Sequence, residues 1–281
     1  MKIRDIMDFA CKKLNEISIE NPAFEVGLLL AHILEKDRSY LYINSDLELE
    51  KHFVDKFNVY LNLRLKFTPI QYILNEQVFM GLEFFVDSSV LIPRPDTEIL
   101  VQEALNYCEN IEDTKILEIG TGSGCIAISL AYYLNNTNIV ACDISKAAIE
   151  IAKKNALKNN VSNRIKFIES DMYGNISEDN FDIIISNPPY IESNEINNLQ
   201  KEVKLFEPQI ALNGGNDGMD FYRIILKGFK KRAKANGKLM LEIGFNQNDK
   251  IIKLIEEFKL MYIKTLKDFG QNNRVVIVTN I

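Results

Sequence analysis

The amino-acid sequence predicts an α/β fold: a mostly parallel sheet of seven strands with the last strand antiparallel, behind a small helical domain and a β-hairpin linker. Three observations lead there. Beyond Lys115, short apolar runs alternate with amphipathic stretches, the pattern of a sheet covered on both faces. The last two apolar runs are separated only by residues 267–273, too few for a crossover helix, so they pair antiparallel. Before Thr68-Pro69, apolar residues recur at helical spacing.

The first domain is expected over residues 1–68. Ile6, Phe9, Ala10 and Leu14 share one helical face, as do Phe24, Leu28, Ala31 and Leu34. Asn21-Pro22 starts the second helix, with Asn at the cap and Pro in the first turn. His32, in an apolar run, is expected at the core or its boundary. The linker, 69–95, turns to strand character from Ile70 to Ile92, and Gly81 separates the two arms of a hairpin at residues 78–79 and 83–86. Ile92-Pro93-Arg94-Pro95-Asp96-Thr97 is stiff, because two prolines fix their own backbones and restrict the residues before them. The third region, 96–281, opens with a helix near Asp96 that carries Ile99, Leu100 and Ala104 inward. Strands follow at 115–119, 139–142, 165–168, 181–186, 238–243, 261–266 and 274–279, with helices at 125–134, 146–158, 221–234 and 249–257. The order is Rossmann-like, but the antiparallel end separates it from a standard NAD-binding domain.

Composition narrows the function. Of 281 residues, 47% are hydrophobic and 26% charged, as in an ordinary soluble globular protein. The cysteines Cys11, Cys108, Cys125 and Cys142 lie far apart, which fits reduced thiols in a cytoplasmic protein. His32 and His52 stand at no metal-ligand spacing, so no metal site is expected. The N-terminal residues form no signal peptide, and no stretch reaches the length of a membrane span. A net charge of −6 lowers the odds of a direct nucleic-acid partner, and the cluster Lys227, Lys230, Lys231, Arg232 and Lys234 reads as a solvated helix face. Oligomeric state is not legible; a monomer is the default.

The chemistry is carried by two loops. Glu118-Ile119-Gly120-Thr121-Gly122-Ser123-Gly124 runs from a strand through a glycine-rich turn into a helix, a place where backbone approaches a ligand closely. Asp143 follows the next strand, where an acid meets a ribose hydroxyl. Asp171 closes the third strand, within reach of an adenine amino group, and Met172 beside it covers the adenine face or packs in the core. Glu118 braces the loop or reaches a cationic ligand group. The second loop, Ser186-Asn187-Pro188-Pro189-Tyr190, follows the fourth strand at the carboxyl edge. Pro188 forces Asn187 out of helical geometry. The side-chain oxygen of Asn187 and the carbonyl of Pro188 can each accept one N–H of a planar NH2 group, and Tyr190 can stack on that group or wall it off. As the nitrogen attacks a methyl donor its N–H groups become more acidic, so both bonds strengthen in the transition state.

On these residues the chain resembles the glutamine-N5 methyltransferases that modify peptide-chain release factors, the HemK/PrmC family. The glycine loop is similar to the family's cofactor loop and Asn187 to Tyr190 to its amide-binding loop. Phe206-Glu207-Pro208-Gln209-Ile210-Ala211-Leu212, with Gly214-Gly215, Asp217-Gly218 and Asp220-Phe221-Tyr222-Arg223, resembles the segment that follows it. Ile92-Pro93-Arg94-Pro95-Asp96-Thr97-Glu98 resembles the interdomain motif, and residues 23–34 the N-terminal helix. The resemblance implies a Rossmann-like methyltransferase sheet and an N-terminal substrate-recognition domain. It implies S-adenosyl-L-methionine held by Gly120, Thr121, Gly122, Ser123, Gly124, Asp143, Asp171, Met172 and Asn187. It also implies a release-factor substrate held by Asn187, Pro188, Pro189 and Tyr190. Met172 departs from the pattern, since some members carry an aromatic residue there. Asn-Pro-Pro-Tyr is shared with DNA adenine-N6 methyltransferases. A ribosomal-protein glutamine methyltransferase, a nucleic-acid exocyclic-amine methyltransferase and a non-catalytic binding protein are the alternatives.

Overall fold

A computed structural model of the chain describes residues 1–109 and 111–280. They divide into two compact units, 1–75 with 200–206, and 76–109 and 111–199 with 207–280.

The first unit is helical: α1 (Ile3–Glu16), α2 (Pro22–Leu34), α3 (Arg38–Ile43), α4 (Lys51–Leu65) and α5 (Ile70–Leu74). Their apolar faces meet in one core that includes Ile6, Leu14, Leu29, Leu30, Phe57, Leu61 and Ile73. Asn21 does sit at the cap of α2 with Pro22 behind it, although its side chain makes no capping bond. His32 is exposed rather than at the core, because Ala31 and Ile33 take the inward positions of that turn. Residues 70–74 are helix and not strand: Ile70 and Ile73 share one face and join this core.

The second unit begins with the hairpin β1 (Gln77–Phe79) and β2 (Leu82–Phe84), closed at Met80-Gly81, both at positive φ. Phe79, Leu82 and Phe84 are buried within this unit's core. After α6 (Thr97–Cys108), the sheet is built from β3 (Thr114–Ile119), β4 (Thr137–Asp143), β5 (Ile165–Glu169) and β6 (Phe181–Ser186), joined by α7 (Cys125–Tyr133) and α8 (Lys146–Lys158). A short α9 (Lys201–Phe206), unforeseen from the sequence, belongs to the first unit; α10 (Asp220–Arg232), β7 (Ala233–Glu242), α11 (Asn248–Glu257), β8 (Met261–Lys267) and β9 (Asn273–Thr279) complete the second. The strand order is β5-β4-β3-β6-β7-β9-β8, and β9 runs antiparallel to both neighbours.

Alternation along the strands supplies both cores. Ile116, Ile139, Ile183, Met240 and Ile277 face α6 and α7, while Leu117, Val140, Ile184, Leu239 and Val276 face α10 and α11. The helix expected to reach 234 stops at Arg232, because Ala233 already pairs with Phe181 in the sheet. Lys234 therefore sits on β7, where its ammonium pairs with Asp182, and Arg232 pairs with Asp179. The chain reverses its direction of growth between β3 and β6. Ligands of open α/β sheets bind at that point, outside the carboxyl ends of the strands.

Candidate active site

The loops after β3, β4, β5 and β6 border one pocket. Its wall includes Gly120, Gly122, Asp143, Asp171, Met172, Asn187, Pro188 and Pro189, so eight of the residues singled out from the sequence converge on one cavity.

The glycine loop is held from behind. Gly120 and Thr121 N–H both donate to the Cys142 carbonyl, at 2.8 and 2.9 Å. Gly120 and Gly122 have positive φ, and nothing lies within 4 Å of where a Cβ would stand, so this backbone is bare towards a ligand. Gly124 has another role: a Cβ there would come within 2.8 Å of Ile128 and 3.1 Å of Ala152 on α8, so glycine lets α7 start against α8. Thr121, Ser123 and Gly124 are not on the pocket wall. The Thr121 hydroxyl donates to Glu118 at 2.6 Å, and the Ser123 carbonyl accepts from the buried amide of Asn155, which also grips both backbone groups of Phe85. These three contribute by fixing the loop.

Asp143 uses its two oxygens on Gly122 N–H and Ser145 N–H, both at 2.9 Å, and burial raises its carboxyl above the ordinary value. It thus ties the glycine loop to the cap of α8 while bordering the pocket. Glu118 is fully buried beneath the loop. Its Oε2 accepts from Thr121 and from the Ala127 N–H, its Oε1 has no partner, and burial pushes its carboxyl up to about 8. Val90, Leu91 and Ile144, which no sequence motif marked, furnish apolar wall together with Pro208, Ile210, Ala211 and Phe221 from the segment that follows the Asn-Pro-Pro-Tyr loop. Exposed Ile144, next to Asp143, was the one local hint.

The Asn187–Tyr190 loop is clamped on several sides. A Cβ on Gly214 would lie 2.8 Å from the Pro189 carbonyl oxygen and from Tyr190 Cα, so only glycine allows the segment from Glu207 to pack here. Gln247 donates to the Tyr190 carbonyl at 2.9 Å and to the Gly218 carbonyl at 3.2 Å. Tyr190 itself is off the wall: its hydroxyl donates to Glu242 at 3.4 Å, and burial raises the phenol above its ordinary value. Asn187 Nδ2 donates to the Thr97 hydroxyl at 3.1 Å, and that hydroxyl donates to Glu242 Oε2 at 2.6 Å.

The proline-rich motif has its work inside this unit. Arg94 holds both oxygens of Glu207, Asp96 pairs with Arg274 at 3.1 Å, Thr97 meets Glu242 and Asn187, and Glu98 accepts from the Met80 N–H. Neither Glu207 nor Glu242 stood out in the sequence, although Glu207 lay in a quoted motif.

A sheet in this order, with a glycine loop and an Asn-Pro-Pro-Tyr loop on one pocket, defines a methyltransferase of the seven-stranded α/β class. The comparisons agree. Residues 95–207 match the Methyltransferase small domain and residues 5–74 the PrmC N-terminal domain. The chain is 40% identical to a release factor glutamine methyltransferase of Clostridium acetobutylicum, over 99% of this chain and 98% of that one. It is 36% identical to one of Clostridium botulinum, over 98% of both chains. A methyltransferase from Pyrococcus furiosus shares the fold at 19% identity, with a TM-score of 0.54 over 72% of this chain and 90% of that one. The chain belongs to the release factor glutamine methyltransferase family. No helix among the described residues is long and apolar enough to cross a membrane.

Proposed function

We propose that the chain transfers a methyl group from S-adenosyl-L-methionine to the side-chain amide nitrogen (N5) of the glutamine in the Gly-Gly-Gln loop of peptide-chain release factors. The observation that carries this reading is that the glycine loop and Asn187-Pro188-Pro189 share one pocket.

The residues present fit the cofactor. The bare backbone at Gly120 and Gly122 leaves room for it, Asp143 borders the pocket for its ribose, and Asp171, Met172 and Ile144 line it for the adenine. The orphaned Glu118 Oε1 is suited to a cationic ammonium. Bound S-adenosylmethionine supplies an electrophilic methyl group. The protein's part is to present the nucleophile. With Nδ2 of Asn187 committed to Thr97, its Oδ1 accepts one amide N–H of the substrate, and the Pro188 carbonyl, which faces no N–H from residue 189, accepts the other. Both bonds strengthen as the nitrogen gains positive character. A strong general base is not required, because the alkylated nitrogen loses a proton readily, and positioning supplies much of the rate.

Residues 1–68 are proposed to serve recognition of the release factor, 69–95 to link, and 96–281 to carry the chemistry, in a cytoplasmic monomer. The test is to incubate the protein with methyl-labelled S-adenosylmethionine and, separately, release factor, ribosomal protein or DNA. Label on the glutamine of the Gly-Gly-Gln loop is the expected result. Label only on ribosomal protein or on DNA would replace this reading.

A further inference from the structure

An amide side chain has two ends of opposite hydrogen-bonding sense, and only one can serve an N–H donor. In this fold the choice is made by residues far from Asn187 in sequence. Glu242, at the carboxyl end of β7, is 1% exposed. Its Oε2 lies 2.6 Å from Thr97 Oγ1, the short separation of a charge-assisted O–H···O⁻ bond. Its Oε1 accepts from the Tyr190 hydroxyl. Thr97, 2% exposed, has one proton, and that proton is committed to Glu242. Towards Asn187 it therefore offers only lone pairs, so Asn187 must present Nδ2, as it does at 3.1 Å.

We propose that Thr97 and Glu242 are positioning residues that set the orientation of the Asn187 amide, keeping Oδ1 as the acceptor available to the substrate. This rests on the reading of Asn187 as the acceptor of the substrate amide. Rotating the amide would set Oδ1 lone pair against lone pair on the buried Thr97 oxygen and would cost the Nδ2 donor its partner.

The chain of bonds is reversible, and its sense depends on one proton. Burial pushes the Glu242 carboxyl up to about 7. A protonated Glu242 can donate to Thr97, whose hydroxyl then turns its own proton to Asn187. Asn187 then accepts through Oδ1 and turns Nδ2, a donor, towards the pocket, where it repels the substrate N–H. The groups facing Glu242 come from five elements. Thr97 and Asp96 stand at the start of α6, Tyr190 on the Asn-Pro-Pro-Tyr loop, Arg274 on β9 and Cys125 on α7, while the Tyr222 hydroxyl of α10 donates to the Glu242 carbonyl. Asp96 works against ionisation and Arg274 favours it.

The test reads the amide directly. In full-length protein with ¹⁵N-labelled asparagine, the Asn187 side-chain signal is assigned from its loss in Asn187→Ala. The signal should titrate with a midpoint near neutral pH, and both Glu242→Gln and Thr97→Val should abolish that titration. Methyl transfer to release factor should fall about 10- to 100-fold in kcat in Thr97→Val, with the dissociation constant for S-adenosylmethionine unchanged, less than the roughly 10²–10³-fold of a contact removed outright because Asn187 itself is retained. Thr97→Ser, which keeps the hydroxyl, should recover most of the rate and the titration, so that misfolding of the valine variant cannot mimic the result. If the Asn187 signal is indifferent to pH and to Thr97→Val, the positioning role is overturned. If the signal behaves as stated but the wild-type protein methylates no release factor, the positioning holds and the substrate assignment fails.

Discussion

In the proposed function Asn187 contributes an oxygen whose value lies in where it is held. Asn187→Ala would remove that acceptor and is expected to lower kcat by about 10²–10³-fold, the loss typical of one preorganised transition-state hydrogen bond. Cofactor affinity should change only modestly. Single-turnover methylation with binding measured in parallel checks this. Asp143 is a different case, because it both borders the pocket and binds Gly122 and Ser145. Asp143→Ala should weaken S-adenosylmethionine binding by about 1.5–3 kcal/mol, the range for hydrogen bonds to a charged group. It should also lower the melting temperature of the ligand-free protein, since two backbone N–H groups lose their acceptor. Calorimetry showing unchanged affinity in the folded variant would remove Asp143 from the site.

At the level of elements, loops line the pocket and neighbouring segments fix them in place. The segment from Glu207 to Gly218 lies against the Asn-Pro-Pro-Tyr loop, with Ile191 N–H donating to Leu212 and Gly214 N–H to Ile191. Gly214→Ala would place a methyl group against Pro189 and Tyr190 backbone, which cannot move aside cheaply. A shift of about 1 Å can cost about 10²-fold in rate, so kcat should fall at least tenfold while the protein remains folded. Circular dichroism beside the kinetics separates the two effects. In the helical unit, Arg64 is 1% exposed and pairs with Glu25 and with Glu202 of α9. Lys201 of α9 also stands over the Phe67 ring at 4.4 Å. Arg64→Met would leave two half-buried carboxylates without their shared cation, at a cost of about 1–3 kcal/mol. Urea unfolding should therefore show a lower midpoint. An unchanged midpoint would mean that the pairing contributes little.

For the whole molecule, two buried carboxyls link stability to pH. Glu118 and Glu242 are raised from the ordinary 4.5 to about 8 and about 7, in both cases chiefly by burial. The folded state thus binds protons more tightly than the unfolded chain. Their contribution is fully present below the unfolded value, declines as pH rises through the folded values, and is gone above them. Urea midpoints of the ligand-free protein at about pH 5.5, 7 and 8.5 should fall in that order, and Glu242→Gln should flatten the part of the decline below neutrality. A profile rising over that range would contradict the assignment.

What the sequence alone determined is the alternation of strands and helices beyond Thr114 (α9 excepted), the antiparallel end of the sheet and the two loops that border the pocket. All of these are local. Alternation of strand and helix, a seven-residue connection, glycines at alternate positions and two prolines after an asparagine act over a few neighbouring residues. Tertiary structure decided the rest. Thr97 is 90 residues from Asn187 and 145 from Glu242, so nothing near any of the three announces the chain of bonds between them. Glu242 ends a strand and has no local mark; it becomes a buried acid only when β7 is laid beside β6 and β9. Tyr190 turns to that acid and leaves the pocket wall to prolines and aliphatic side chains. Residues 200–206 meet the helical unit through Glu202 on Arg64 and Lys201 over Phe67, and a pairing across 138 residues has no periodicity to betray it. Strand order brings these groups together, and desolvation then sets how strongly they act.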